Sequence, residues 1–257
     1  SEIEALARME KAFHIMRDSA RTPVKTPVKS MGGLIGGEAR KLSEHQAAGK
    51  GLCGPILEKA ITYAMAVLET NSSMGLIVAA PTAGACGVVP AVYLTLQEQR
   101  QIDDERMLEA MYIASGVGGV IANRAFLAGA AGGCQAEIGS ASSMAAAGAV
   151  YLAGGDTEAI IHAAAMAMKN LLGLACDPVA GLVEVPCVKR NVVGAVNALS
   201  AADMALAGVR SIIPPDEVFD AMRSVGISLP EAIRETGKGG LAATTTGQKI
   251  AQGLQHE

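Results

Sequence analysis

Three of the five cysteines, Cys134, Cys176 and Cys187, sit among Gly, Pro and other small residues. Thiolates are the usual ligands of iron–sulfur clusters. Three of them on a four-iron cube leave one iron with a free position, where it can act as a Lewis acid on a substrate oxygen instead of carrying electrons. The same residues have a plainer reading, because a free cysteine is a common small core residue. The flanking Gly, Pro and Asp suit turns whose backbone N–H groups can face cluster sulfurs. Spacing does not decide between the two. With no Cys-x-x-Cys pair, the sequence carries neither a zinc-ribbon nor a ferredoxin pattern. Cys53, in Gly51-Leu52-Cys53-Gly54, and Cys86, in Thr82-Ala83-Gly84-Ala85-Cys86-Gly87, are expected non-ligands.

Other polar groups are candidates for holding a small carboxylate substrate. Asn71, Ser73 and Thr82 can donate hydrogen bonds, although turn and capping chemistry explains them equally well. Lys189 and Arg190, with Asn191, follow Cys187 directly. They can bind a substrate carboxylate or offset cluster charge. Cations at a helix start are mildly unfavourable beside the positive end of the dipole, which tilts the reading toward a functional role. None of His14, His45, His162 and His256 stands out as a general base, so the catalytic base is not identified.

The elements that must position these groups are helical. Half of the 257 residues are apolar, yet only three are Phe, four Tyr and none Trp. Ala, Gly and Met therefore fill the interior, and small side chains favour close helix-on-helix packing. Residues 1–18 show helical spacing through Ile3, Leu6, Met9, Phe13 and Met16. Pro23 and Pro27 predict an extended connector after them. The domain reading is an N-terminal helix and connector over 1–30, then a compact helical domain over 31–257. Further helices are expected at about 56–69, 88–99, 104–127, 140–153, 157–172, 192–207 and 216–225, with Asp156 as a cap. Gly-rich loops are expected at 31–37, 81–87, 131–137 and 237–247, and an irregular stretch at 176–187. Strand signals are confined to 77–80 and 182–185. The fold class is all-α, with chemistry on the loops.

The net charge of −4 offers no basic patch for nucleic acid. No run approaches the roughly 20 apolar residues of a membrane span. The start Ser1-Glu2-Ile3-Glu4 does not read as a signal peptide, and an odd cysteine count suits a reducing compartment. A cytoplasmic location is expected.

Several segments together resemble the alpha chain of iron–sulfur-dependent L-serine dehydratases. They are Pro81-Thr82-Ala83-Gly84, the run from Gly132 through Cys134-Gln135-Ala136-Glu137 to Ser142, the run from Cys176-Asp177-Pro178 through Val185-Pro186-Cys187 to Asn191, and Arg234-Glu235-Thr236-Gly237 with Gly239 to Thr244. The similarity runs from about Gly32 to Gly247, and the block from Cys176 to Asn191 is its most specific part. The resemblance implies a [4Fe-4S] cluster on Cys134, Cys176 and Cys187, and conversion of L-serine to pyruvate and ammonia. It also implies a beta chain carrying a Pro-Ser-Ser-Ser-His-Thr segment, a run not found here, and hence a hetero-oligomer. The departures are Thr245, where relatives commonly have Pro, and Cys86, where some have a smaller residue. Three other readings stay open: a pyridoxal-phosphate dehydratase using Lys169 or Lys189, a cluster-dependent cysteine desulfidase, and a helical scaffold or metal-storage subunit with structural cysteines.

Overall fold

A computed structural model describes residues 2–254. Eleven α-helices occur among them: α1 (Glu2–Lys25), α2 (Glu38–Ala47), α3 (Gly54–Ser72), α4 (Val88–Arg100), α5 (Asp104–Arg124), α6 (Gly129–Gly132), α7 (Ser140–Leu152), α8 (Thr157–Lys169), α9 (Cys187–Leu206), α10 (Pro215–Ser228) and α11 (Thr245–Leu254). The described residues form no strand; 77–80 and 182–185 are irregular. The all-α expectation holds.

The centre of the fold is α7. Every residue of it except Tyr151 is buried, and it packs on α4, α5, α8 and α9. Its Ala, Gly and Ser side chains explain how four helices can crowd one. A Cβ on Gly148 would lie 1.7 Å from the Tyr93 hydroxyl, so only glycine lets that ring lie against α7. The hydroxyl stays satisfied in the core by the carbonyls of Ala110 and Met144, at 3.1 and 3.2 Å. A few large side chains thus fill space between helices that are otherwise nearly in backbone contact.

The N-terminal region differs from the expected connector. Helix α1 continues through Pro23 to Lys25. A proline inside a helix leaves the carbonyl four residues earlier without its donor. Here that carbonyl belongs to Ser19, and the Thr70 hydroxyl of α3 donates to it at 2.8 Å. Phe13, Met16 and Ala20 of α1 join the main core, while Ile3 and Leu6 stay exposed.

The other corrections lie at helix ends. Helix α2 was not foreseen; its Ala39 N–H donates to the buried Glu69 carboxylate at 2.9 Å. The expected 237–247 loop holds as far as Thr244, after which α11 begins; its Gly247 N–H donates to the Thr244 hydroxyl at 3.1 Å. Helix α9 begins at Cys187, five residues before the expected start. Asp156 caps α8 as anticipated, accepting from Ala159 N–H at 2.8 Å. No described helix is long and apolar enough to cross a membrane.

Candidate active site

Cys134 precedes a widened π-type turn over Gln135–Gly139 that leads into α7, where a loop was expected. Such turns recur at functional sites because they redirect side chains. Here Cys134 and Glu137, three residues apart, face the same space. The fully buried Gln135 locks the turn: its amide donates to Met222 O at 3.0 Å and its oxygen accepts from Gly173 N–H at 2.8 Å.

Cys176 comes from the irregular segment before α9. Its N–H donates to Ile233 O at 2.8 Å, and its carbonyl accepts from Glu235 N–H at 2.7 Å. Asp177 beside it accepts from Leu241 N–H at 2.7 Å. The segment after α10 therefore grips the Cys176 backbone from both sides. Cys187 opens α9. Asn191, one turn later and fully buried, donates to Gly84 O at 2.7 Å and Cys187 O at 3.0 Å, and accepts from Gly87 N–H at 3.0 Å. That amide joins the Thr82 loop to the start of α9.

The 176–187 segment is anchored at its far end by Glu184. This buried carboxylate accepts from Ser30 Oγ at 2.6 Å, Gly32 N–H at 2.7 Å and Leu34 N–H at 3.1 Å. A Cβ on Gly32 would meet Leu182 at 2.4 Å and Glu184 at 2.9 Å, which accounts for glycine in the 31–37 loop.

These supports bring the sulfurs together. One ligand atom each from Cys134, Glu137 and Cys176 lies within 4.8 Å of the others. All three thiols are buried. Cys176 donates a hydrogen bond to Cys134; with Arg190 this draws the Cys134 thiol below its ordinary value against the opposing effect of burial. Its donor role and burial push Cys176 up. Burial pushes Cys187 to about 12, and the charges of Cys134 and Glu137 add to it. Burial likewise raises Glu137, partly offset by the Thr82 hydroxyl, which donates to its Oε1 at 2.6 Å.

Arg190 is the cation of the site. Its Nη1 lies 3.7 Å from Cys134 Sγ and 2.7 Å from Ala175 O. It is 2.8 Å from Asp177 Oδ1, an ion pair without well-aligned hydrogen-bond geometry. Lys189 is exposed, and its charge acts on Glu38. Asn71 donates to Ala83 O at 3.3 Å and Ser73 to Thr70 O at 3.0 Å. Of the five candidate substrate groups, Thr82 and Arg190 touch groups of the thiol site directly. Lys169 donates to Ser211 O at 2.6 Å. Cys53 is exposed, and Cys86 is buried with its thiol pushed to about 12 by burial. His14 and His45 are exposed, His162 accepts from Ser211 N–H at 3.4 Å, and His256 lies outside the described residues.

The donor set fits an iron–sulfur group. It is rich in soft thiols, a cation stands beside one sulfur, and a glycine backs the site. A Cβ on Gly129 would come 2.8 Å from Glu137 Oε2 and 2.9 Å from Cys176 Sγ. The Cys134 and Cys176 sulfurs lie within 4.8 Å of each other, and Cys187 is not part of that group. Glu137, Asp177 and Asn191 carry much of this geometry, and sequence reasoning gave the two acids no role. An acid three residues from a cysteine within a small-residue turn was the available signal. Beside the site, a cleft of about 850 Å³ is lined by residues that include Gly32, Gly181, Glu235, Thr236 and Gln248.

Comparison with known proteins agrees with the arrangement. The family profile described as Serine dehydratase alpha chain matches residues 1–242. The chain is 44% identical over 257 residues to "L-serine dehydratase, alpha chain" of Peptoniphilus asaccharolyticus, covering 100% of this chain and 88% of that one. It is 54% identical over 223 residues to "Probable L-serine dehydratase, alpha chain" of Bacillus subtilis (strain 168), covering 87% and 74%. With "L-serine dehydratase TdcG" of Escherichia coli (strain K12) it shares 43% identity over 182 residues, 70% of this chain but 40% of that longer protein. The chain therefore belongs to the serine dehydratase alpha-chain family.

Proposed function

We propose that the chain is the alpha subunit of an L-serine dehydratase, eliminating water from L-serine to give pyruvate and ammonia. The meeting of Cys134 and Cys176 at Glu137, with Cys187 near enough to feel the charges of Cys134 and Glu137, is the observation that carries the reading. Those three thiolates would hold a four-iron, four-sulfur cluster. Such a cluster, when bound, supplies a Lewis acid for the departing hydroxyl.

The rest of the work falls to the protein. Burial of the thiols keeps water from the site and strengthens every charge interaction within it. Arg190 favours the thiolate form of Cys134, which readies that ligand, and Asp177 fixes the guanidinium in place. Thr82 orients Glu137. Asn71, Ser73 and Lys189 are the further candidates for contacts to the serine carboxylate and ammonium groups, together with Thr82 and Arg190. We assign the proton-abstracting base to a second polypeptide, a beta chain. The description of the family and of the relatives as alpha chains supports a companion subunit. A cytoplasmic location accords with the free thiols.

The test is anaerobic reconstitution with iron and sulfide, with and without a beta-type chain, followed by iron, sulfide and pyruvate assays. Cys176→Ser is expected to lose both cluster and pyruvate formation. Full activity in iron-free protein would refute the reading.

A further inference from the structure

Glu137 is set apart from the other acids by its place beside two cysteine sulfurs. It is largely buried, yet no cation pairs with it among the described residues. Its Oε1 is held by the Thr82 hydroxyl, while Oε2 has no hydrogen-bond donor among them. The nearest sulfurs are those of Cys134 and Cys176, all within 4.8 Å. Once the neighbouring thiols ionise to hold metal, a carboxylate among them is a poor arrangement unless a cation joins it, because burying an uncompensated charge is costly.

The backbone around it is shaped to keep it there. A Cβ on Gly84 would lie 2.8 Å from Oε1, and one on Gly129 would lie 2.8 Å from Oε2. Two glycines, on different segments, thus flank the two carboxylate oxygens. The Gly129 position also touches Cys176 Sγ at 2.9 Å, so the free oxygen and that sulfur border the same small volume.

We infer that the Glu137 carboxylate is the fourth protein ligand of the cluster in the substrate-free enzyme, bound through Oε2 to the iron that the three thiolates leave open. The inference rests on the cluster assignment above. Hard oxygen and soft sulfur donors differ in their preference for iron. An oxygen ligand therefore marks one iron as chemically distinct and exchanges more readily than a thiolate. Thr82 is then a positioning residue that keeps Oε1 occupied and Oε2 directed at the metal.

The experiment is Mössbauer spectroscopy of anaerobically loaded, substrate-free protein enriched in the Mössbauer-active iron isotope, for wild type, Glu137→Gln, Glu137→Asp and Thr82→Val. Wild type should show one iron distinct from the other three. In Glu137→Gln that component should shift, and mild oxidation should release the fourth iron at least about tenfold faster, since even outer-shell changes cost 10–100-fold in metal affinity. Thr82→Val should keep the distinct component. If the amide variant does not fold, Glu137→Asp provides the same readout with a carboxylate one methylene short. Spectra and iron retention unchanged from wild type in the Glu137 variants would overturn this inference alone. Absence of any cluster in wild type would overturn the cluster assignment along with it.

Discussion

Replacing Asn191 should show how strongly the site is tied together. The side chain is fully buried and makes three hydrogen bonds, to Gly84 O, Cys187 O and Gly87 N. Each such bond contributes about 1 kcal/mol net, and a buried group left without a partner costs a further 1–3 kcal/mol. Asn191→Ala removes all three and strands the Gly87 N–H, so the expected loss is about 4–6 kcal/mol. Asn191→Asp discriminates further. A carboxylate can still accept from Gly87 but presents only acceptors to the two carbonyls, so it should recover little of the loss. Urea unfolding of metal-free protein reads both, as a shift in midpoint at constant slope. A loss below about 1 kcal/mol for alanine, or an aspartate variant as stable as wild type, would refute the idea that this amide staples the Thr82 loop to α9.

Two further outcomes follow from charges near the site. Burial and the adjacent Glu38 raise Glu69 from 4.5 to about 6, so between those values the folded protein binds more protons than the unfolded chain. Stability should fall as pH climbs through that window, by up to about 2 kcal/mol, and stay lower above it; Glu69→Gln should remove this decline in thermal melts between about pH 4.5 and 7. Removing one partner of the largely buried Arg190–Asp177 pair should cost about 3 kcal/mol. The double variant Arg190→Met with Asp177→Asn should regain much of that loss in an unfolding double-mutant cycle, and strictly additive losses would show the pair to be unimportant.

The helices were legible where apolar periodicity ran uninterrupted, as in α3, α4, α7 and α8, because packing of a continuous small-residue face follows directly from spacing. Legibility failed where a remote side chain changed the local rule. Pro23 breaks a helix in isolation, but Thr70 supplies the missing donor from another helix. The Gly-rich run 237–247 reads as a loop until Thr244 is seen to cap α11. The three cysteines were visible by context and family likeness, and the structure brings Cys134 and Cys176 together. Glu137 could not be given a role, since its distinction lies in its place beside two cysteine sulfurs, a property of three-dimensional neighbourhood.

The grip of residues 233–241 on Cys176 and Asp177 bears on when this protein can mature. A growing chain exposes Cys134 first and Cys176 some forty residues later, and the backbone that brackets Cys176 follows only after more than fifty further residues. Contacts so distant along the polypeptide form late. Closure of the cradle therefore waits on a segment made well after both thiols, and loss of residues 233–241 would disable a thiol cradle from which it removes no sulfur.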